Sequence, residues 1–202
     1  GIFAFAVHDP LKNCVFLARD RFGVKPLFYT RIGSKFYFAS EVKALLSHAQ
    51  ITPELDLEGL WQLFYLTPVT LPGSGVFANV KEILPAHIAR VGKEELYTAP
   101  YWQLEARECC DDPKTAAATV RELFTDAVRR QLCSDVPLAV LLSGGLDSAA
   151  ISAVAARVHT ERGRVLDTYS FEYEGNKESF SATLFQPQGD DEFAQALAAE
   201  LG

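Results

Sequence analysis

Apolar residues run unbroken from Ile2 to Val7, with Ile2, Ala4 and Ala6 on one side of an extended chain and Phe3, Phe5 and Val7 on the other. A run apolar on both faces predicts a buried strand, broken by His8-Asp9-Pro10. Residues 15–19 form a second strand beyond a Lys12-Asn13 turn, so the two read as a hairpin. Residues 26–29 and 35–39 make another pair around Gly33-Ser34. Ser40 is placed to cap a short helix with Ala44, Leu45 and Leu46 on its apolar side and Glu41 and Lys43 in solvent. Asp56 caps a second helix carrying Leu57, Leu60, Trp61, Phe64 and Tyr65 at helical spacing. Residues 66–75 are a loop rich in Pro, Gly and Thr, and 83–87 turn into a strand over 88–91.

The period then changes. Residues 103–113 are polar, end in proline and predict a linker. Asp112 caps a helix with Pro113 at its first position. Val120, Leu123, Phe124, Ala127, Val128 and Leu132 fall on one stripe of it. A short apolar strand over 136–142, a glycine turn over 143–148 and an alanine-rich helix over 149–158 follow. A strand over 165–173, an aperiodic polar loop over 174–189 and a helix over 190–201 complete the chain. A long aperiodic loop is uncommon and often functional; a lid and an exposed insertion are both open for it. Alternating strands and helices imply a parallel sheet with right-handed crossovers.

At 202 residues, 49% of them hydrophobic, the chain has room for one large domain or two small ones. No apolar run reaches the ~18 residues a membrane span needs, and no basic segment precedes the apolar start as in a signal peptide. A net charge of −7 argues against a nucleic-acid surface. Cys14, Cys109, Cys110 and Cys133 contain no CxxC pair and no His at metal spacing, which excludes a zinc site and a disulfide framework. Such cysteine usage suits a reducing cytosol, so a cytoplasmic location is expected. The adjacent Cys109 and Cys110 allow redox chemistry, although an inert pair is the plainer expectation. His8, His48, His87 and His159 lack partner patterns, with His87 the one placed to orient a loop. Arg19, Asp20 and Arg21 form a charged knot in an apolar context. An ion pair fixing a strand end is the favoured reading, a domain-interface or tunnel role the other. With no methionine even at position 1, the chain is expected to start by truncation rather than by processing.

The stretch that carries chemistry is Ser143-Gly144-Gly145-Leu146-Asp147-Ser148, between a strand and a helix. Its small residues suit a sharp turn whose N–H groups converge with a helix N-terminus on an anion. Ser143 and Ser148 add hydroxyl donors, and Asp147 beside a phosphate makes sense as a magnesium ligand. Gly145 is expected where a Cβ would obstruct the phosphate and would penalise any positive φ. A plain turn with Asp147 or Ser148 as N-cap is the competing reading. The loop is neither a Walker A sequence nor GxGxxG.

These six residues resemble the pyrophosphate loop of the ATP pyrophosphatases. The stretches at 1–6, 18–29 and 39–45, with Ile83-Leu84-Pro85-Ala86-His87, resemble the glutaminase domain of glutamine-hydrolysing asparagine synthetases, Ala86 standing where that family has glycine. The resemblance implies an α+β glutaminase part of N-terminal-nucleophile type, then an α/β parallel-sheet ATP-pyrophosphatase part, both incomplete. It places the glutaminase part at 1–103, the linker at 104–113 and the synthetase part at 114–202. It implies that glutamine supplies ammonia, that ATP and aspartate form β-aspartyl-AMP and pyrophosphate, and that ammonia displaces AMP. By resemblance Leu142 lines the adenosine pocket, Ser143, Gly144, Gly145, Leu146, Asp147 and Ser148 hold pyrophosphate with Asp147 on magnesium, and Phe171 lies beside the adenine. ATP, magnesium, aspartate and glutamine are thus the implied ligands, without nucleic acid or membrane; a homodimer is compatible. The family's glutamine-binding aspartate would fall just before Gly1 and its nucleophilic cysteine further upstream. An internal fragment, inactive alone as a glutaminase, is therefore expected. A β-lactam-synthetase-like enzyme and a non-catalytic nucleotide-binding subunit are the alternatives.

Overall fold

The computed structural model describes residues 1–93, 95–171, 175 and 190–201. They fall into two compact units, Gly1–Arg107 and Glu108–Gly202. The first unit contains β1 (Ala4–Asp9), β2 (Cys14–Arg19), β3 (Phe28–Ile32), β4 (Lys35–Ala39), α1 (Val42–Leu46), α2 (Leu57–Tyr65), β5 (Lys81–Glu82), β6 (His87–Val91) and β7 (Leu96–Pro100). Two antiparallel sheets result, one ordered β1-β2-β6-β7 and the other β4-β3-β5. Leu17, Leu27, Ile83, Ala89 and Val91 form the central core, with Tyr29, Phe36 and Leu96 packed on it. Leu45, Ile51 and Val80 form a second cluster with Phe28, Ile32 and Tyr37. Alternation along β3 explains both clusters, because odd and even residues of a strand face opposite sides.

Both expected hairpins form, with Ala6 opposite Leu17 and Thr30 opposite Tyr37. Several expectations need correction. The first strand is not buried on both faces: β1 is an edge strand, and Phe5, Ala6, Val7 and His8 are all exposed. It also runs through Asp9, whose Oδ1 accepts the N–H groups of Leu11 and Lys12 and so shapes the turn. Glu41, not Ser40, occupies the N-cap of α1, and its side chain makes no capping bond. Asp56 does cap α2, its Oδ1 accepting Gly59 N–H at 2.8 Å. That helix does not bury its apolar stripe, however: Leu57, Trp61, Phe64 and Tyr65 are exposed, and it packs instead through Gly59 and Gln62. A Cβ on Gly59 would collide with the Val76 carbonyl oxygen, so only glycine allows this approach. Gln62 Oε1 accepts Leu71 N–H and its Nε2 donates to Ser74 Oγ, tying the loop beneath to the helix.

The charged knot is resolved into two roles. Asp20 is buried, its Oδ1 accepting the N–H groups of Phe22 and Val24 and its Oδ2 that of Lys25. Arg19 takes the carbonyls: Nε donates to Lys25 O, Nη2 to Gly23 O and Nη1 to Ile83 O. Its ion-pair partner is Glu82 at 2.8 Å, not the adjacent aspartate. Arg21 lies over the Trp102 ring at 5.5 Å. Ala86 follows with φ +59°, a left-handed conformation that glycine adopts without steric cost. Its N–H is held by Asp20 O and its carbonyl by Tyr101 N–H, which keeps the alanine there.

The second unit contains α3 (Pro113–Gln131), β8 (Ala139–Leu141), α4 (Leu146–Glu161), β9 (Asp167–Tyr169) and α5 (Asp190–Leu201). Asp112 caps α3 through the N–H groups of Lys114 and Thr115, and Thr115 Oγ1 donates to its other oxygen. Those bonds from Thr115 and Lys114 hold the Asp112 carboxyl below its usual range. The strands β8 and β9 pair in parallel, Leu141 opposite Tyr169. Both are shorter than expected, three residues each. The core joins Val128 and Leu132 of the α3 end to Ala155 and Val158 of α4, with Phe124, Leu138, Val140 and Leu166 around them. The upper half of the expected α3 stripe stays out of it: Val120 and Leu123 are exposed. The helix α4 starts three residues before its expected position, at Leu146. The polar loop expected over 174–189 lies outside the described residues save Gly175.

The Asp20 carboxylate is the test of the first unit. Burial pushes its pKa up, but the N–H groups of Lys25, Val24 and Phe22 outweigh this and hold it below the ordinary carboxylate value. A folded pKa below the unfolded one adds stability above about pH 4, which is lost as pH falls through the folded value. Asp20→Asn removes the charge and sets an amide N–H₂ against backbone N–H groups. It should cost about 2–4 kcal/mol at pH 7, and its unfolding free energy should fall less steeply than the parent's between pH 4 and 2. Urea titrations across that range check both.

Candidate functional site

The geometry of residues 142–148 follows from what holds each end. Leu142 continues β8 by one bond, its N–H donating to Tyr169 O at 2.8 Å, and its side chain is buried in the unit. The chain then reverses at Gly144, with φ +85°. Gly145 is the N-cap of α4 in an extended conformation, φ −74° and ψ 159°. The positive φ of the turn is therefore at Gly144, and Gly145 has none. A Cβ on Gly145 would meet only Ser143 Oγ, at 3.6 Å, an ordinary contact.

Neither Asp147 nor Ser148 caps the helix, as a plain turn would have it. Ser148 Oγ instead donates back to Gly145 O at 3.0 Å, accepts Ser143 N–H at 3.3 Å and lies 3.0 Å from Ser143 Oγ. The two hydroxyls clasp the turn from inside. Their protons are spent on it as it stands, so either must rotate to face a ligand. The N–H of Ala149 makes the first helical bond, to Gly145 O. The N–H groups of Gly145, Leu146, Asp147 and Ser148 precede it, and a helix offers its first four N–H groups no partner of its own. They stand at the positive end of the α4 dipole. This is an exposed concentration of donors suited to an anion.

Asp147 is exposed in the first turn of α4. Among the described residues no group of three or more His, Cys, Asp or Glu gathers into a metal-binding cluster. Asp147 is thus a single carboxylate next to four free donors.

Phe171 is also exposed, two residues past the end of β9. Parallel pairing in register brings the chain after β8 and the chain after β9 to the same sheet edge. The carboxyl edge of a parallel sheet is where open α/β folds bind ligands. Residues 143–148 and Phe171 therefore share that edge, while the Leu142 side chain belongs to the core. Tyr169 was missed by the sequence reading. It is exposed at the same edge and its carbonyl anchors Leu142. Strand alternation would have shown it, since Thr168 points inward and Tyr169 outward.

No comparable site occupies the first unit's charged knot, whose donors and acceptors are consumed internally. His87 Nδ1 lies 2.8 Å from Pro85 O and braces its own turn, and His159 Nδ1 lies 3.0 Å from Ala155 O within α4. Among the described residues no helix is long and apolar enough to cross a membrane.

Comparison with known proteins divides the chain at the same place. Residues 1–102 match the glutamine amidotransferase domain family and residues 119–202 the asparagine synthase family. The chain is 47% identical, over its whole length, to 33% of glutamine-hydrolyzing asparagine synthetase 3 of Bacillus subtilis (strain 168). It is 37% identical, over 77% of its length, to 22% of that organism's glutamine-hydrolyzing asparagine synthetase 2. A putative glutamine-hydrolyzing asparagine synthetase 2 of Methanocaldococcus jannaschii is 32% identical over 87% of the chain and 34% of that protein. The chain spans about a third or less of the length of these relatives.

The strained position is testable. Gly144→Ala forces a Cβ into the left-handed region and should cost about 1–2 kcal/mol of stability. Gly145→Ala, at an N-cap already extended, should cost less than about 1 kcal/mol. Chemical denaturation of the two variants side by side checks the ranking; equal losses would contradict the turn described here.

Proposed function

The chain belongs to the glutamine amidotransferase domain family, and on that premise we propose that it is part of a glutamine-hydrolysing asparagine synthetase. In this reading ATP activates aspartate as β-aspartyl-AMP with loss of pyrophosphate, and ammonia from glutamine displaces AMP to give asparagine. The observation that carries it is the turn at 143–148: a strand end, a left-handed Gly144, and the free N–H groups that open α4. Such donors stabilise the negative charge that gathers on the departing pyrophosphate, and being fixed by the fold they need no reorganisation. The order of the two family matches, amidotransferase before synthase, supports the same reading.

Residue roles follow from placement. Gly145, Leu146, Asp147 and Ser148 offer backbone N–H groups to pyrophosphate oxygens. Ser143 and Ser148 hold the turn closed and can turn a hydroxyl outward when an anion competes for it. Leu142 supports the nucleoside site from the core side, through its backbone and the packing behind the turn. Phe171 and Tyr169 supply apolar surface at the sheet edge for the adenine. Magnesium, the ion the family implies, fits the donor set: one exposed carboxylate, Asp147, suits a cation that keeps waters and binds through one or two carboxylates plus substrate phosphates. Bound there, it would neutralise charge on the leaving pyrophosphate. The ranges 1–103, 104–113 and 114–202 are read as glutaminase part, linker and synthetase part.

A β-lactam-synthetase-like enzyme, using the same adenylation on another carboxylate, is less favoured, because the three relatives described above are named as asparagine synthetases.

The experiment separates the two chemistries in the full-length enzyme. Asp147→Asn should lower aspartate-dependent pyrophosphate release by more than about 100-fold, a loss of roughly 3 kcal/mol or more of transition-state stabilisation. Glutamate release from glutamine should be unchanged. Normal pyrophosphate release would overturn the role given to Asp147.

A further inference from the structure

We propose that Cys109 and Cys110 form a bidentate site for soft, uncharged thiophiles, with trivalent organoarsenicals as the ligand class. Both are free and exposed, one residue apart, in the segment that joins the two units. Adjacent side chains on an extended chain point to opposite sides, so chelation by neighbours needs a local change of backbone. This segment permits it. Residues 102–110 form neither helix nor strand. Between Tyr101, whose N–H is bonded to Ala86 O, and Asp112, whose carbonyl accepts Ala116 N–H, no backbone–backbone hydrogen bond is present among the described residues. Residues 103–112 are all exposed, so no packing opposes the turn either.

Charge selects the ligand. Glu105, Glu108, Asp111 and Asp112 flank the pair along the chain, against two cations, Arg107, which is engaged with Glu105 at 2.7 Å, and Lys114. An anionic thiol reagent is repelled there, and a neutral one is not. The reaction needs no oxidant. An arsenous oxide, R–As=O, takes two thiols to give R–As(S)₂ and one water. Two As–S bonds replace the As–O bonds, both thiol protons leave in the water, and arsenic stays trivalent. The second sulfur adds intramolecularly, so the ring should outlast any one-thiol adduct by 100-fold or more.

The chain carries its own controls. Cys133 is exposed but alone, and Cys14 is buried. Phenylarsine oxide is the probe, with N-ethylmaleimide, also neutral, counting the free thiols by intact mass under native conditions. The untreated chain should take three maleimides, on Cys109, Cys110 and Cys133. One equivalent of phenylarsine oxide should reduce this to one and add a single phenylarsenic to the mass. A dithiol such as 2,3-dimercaptopropanol should restore all three, and a monothiol should not. Cys109→Ser and Cys110→Ser should each weaken arsenical retention at least 100-fold. Cys133→Ser should leave it unchanged, which also excludes bridging between Cys133 and the pair. Three maleimides after arsenical treatment, or retention undiminished in Cys109→Ser or Cys110→Ser, would overturn the proposal.

Discussion

The first unit depends on Asp20 and Arg19 satisfying a stretch of irregular backbone that no sheet can reach. Between the end of β2 and the start of β3 the chain must cross from one sheet to the other. Part-buried N–H and carbonyl groups on that path have no ladder partner, and leaving such a group unpaired is costly, up to about 1–3 kcal/mol where burial is complete. Asp20 collects three of the N–H groups and Arg19 three carbonyls, one of them Ile83 O on the segment leading into β6. Glu82 then balances the guanidinium at the end of β5. Both sheets thus close on one pair of side chains. Tyr101 completes the arrangement, its hydroxyl donating to Arg19 O at 2.7 Å.

The turn at 143–148 uses the same materials to the opposite end. It too has a carboxylate and a row of backbone N–H groups in an irregular segment. In the first unit the carboxylate points inward and consumes the donors. In the second Asp147 lies in the helix's first turn and points to solvent, so the donors remain free. The turn is stabilised instead by two serine hydroxyls, Ser148 Oγ donating to Gly145 O and Ser143 Oγ pairing with Ser148 Oγ. One arrangement is finished structure, and the other has binding capacity left over. The difference is where the side chain's oxygens go, not which residues are present.

That distinction bounds what was legible beforehand. Hairpins, caps and the glycine turn could be read from local pattern, because Asp56, Asp112 and Gly33-Ser34 act on chain within a few residues of themselves. The family resemblance was legible from the stretches around 18–29 and 143–148, and the family matches agree with it. Burial was not legible. The apolar runs of β1, α2 and the first half of α3 predicted core and are exposed, because burial depends on what lies across from a surface. The helix start at Leu146 was misjudged because Gly145 caps through its backbone and no polar side chain marks the boundary.

Sequence by itself determined most of the element order, though not β5 and β7, together with the β1–β2 and β3–β4 hairpins, the two-part organisation and the six-residue turn with its charge and hydroxyls. These rest on contacts a few residues apart or on patterns that survive without coordinates. Only the tertiary structure decided that Arg19 pairs with Glu82, 63 positions along the chain, rather than with its neighbour. It alone placed the left-handed backbone at Gly144 rather than Gly145, and turned Ser148 inward as a clasp. The physical reason is the same in each case. A hydrogen bond or an ion pair is fixed by the direction of its donor and acceptor, and direction exists only once the chain around them has folded.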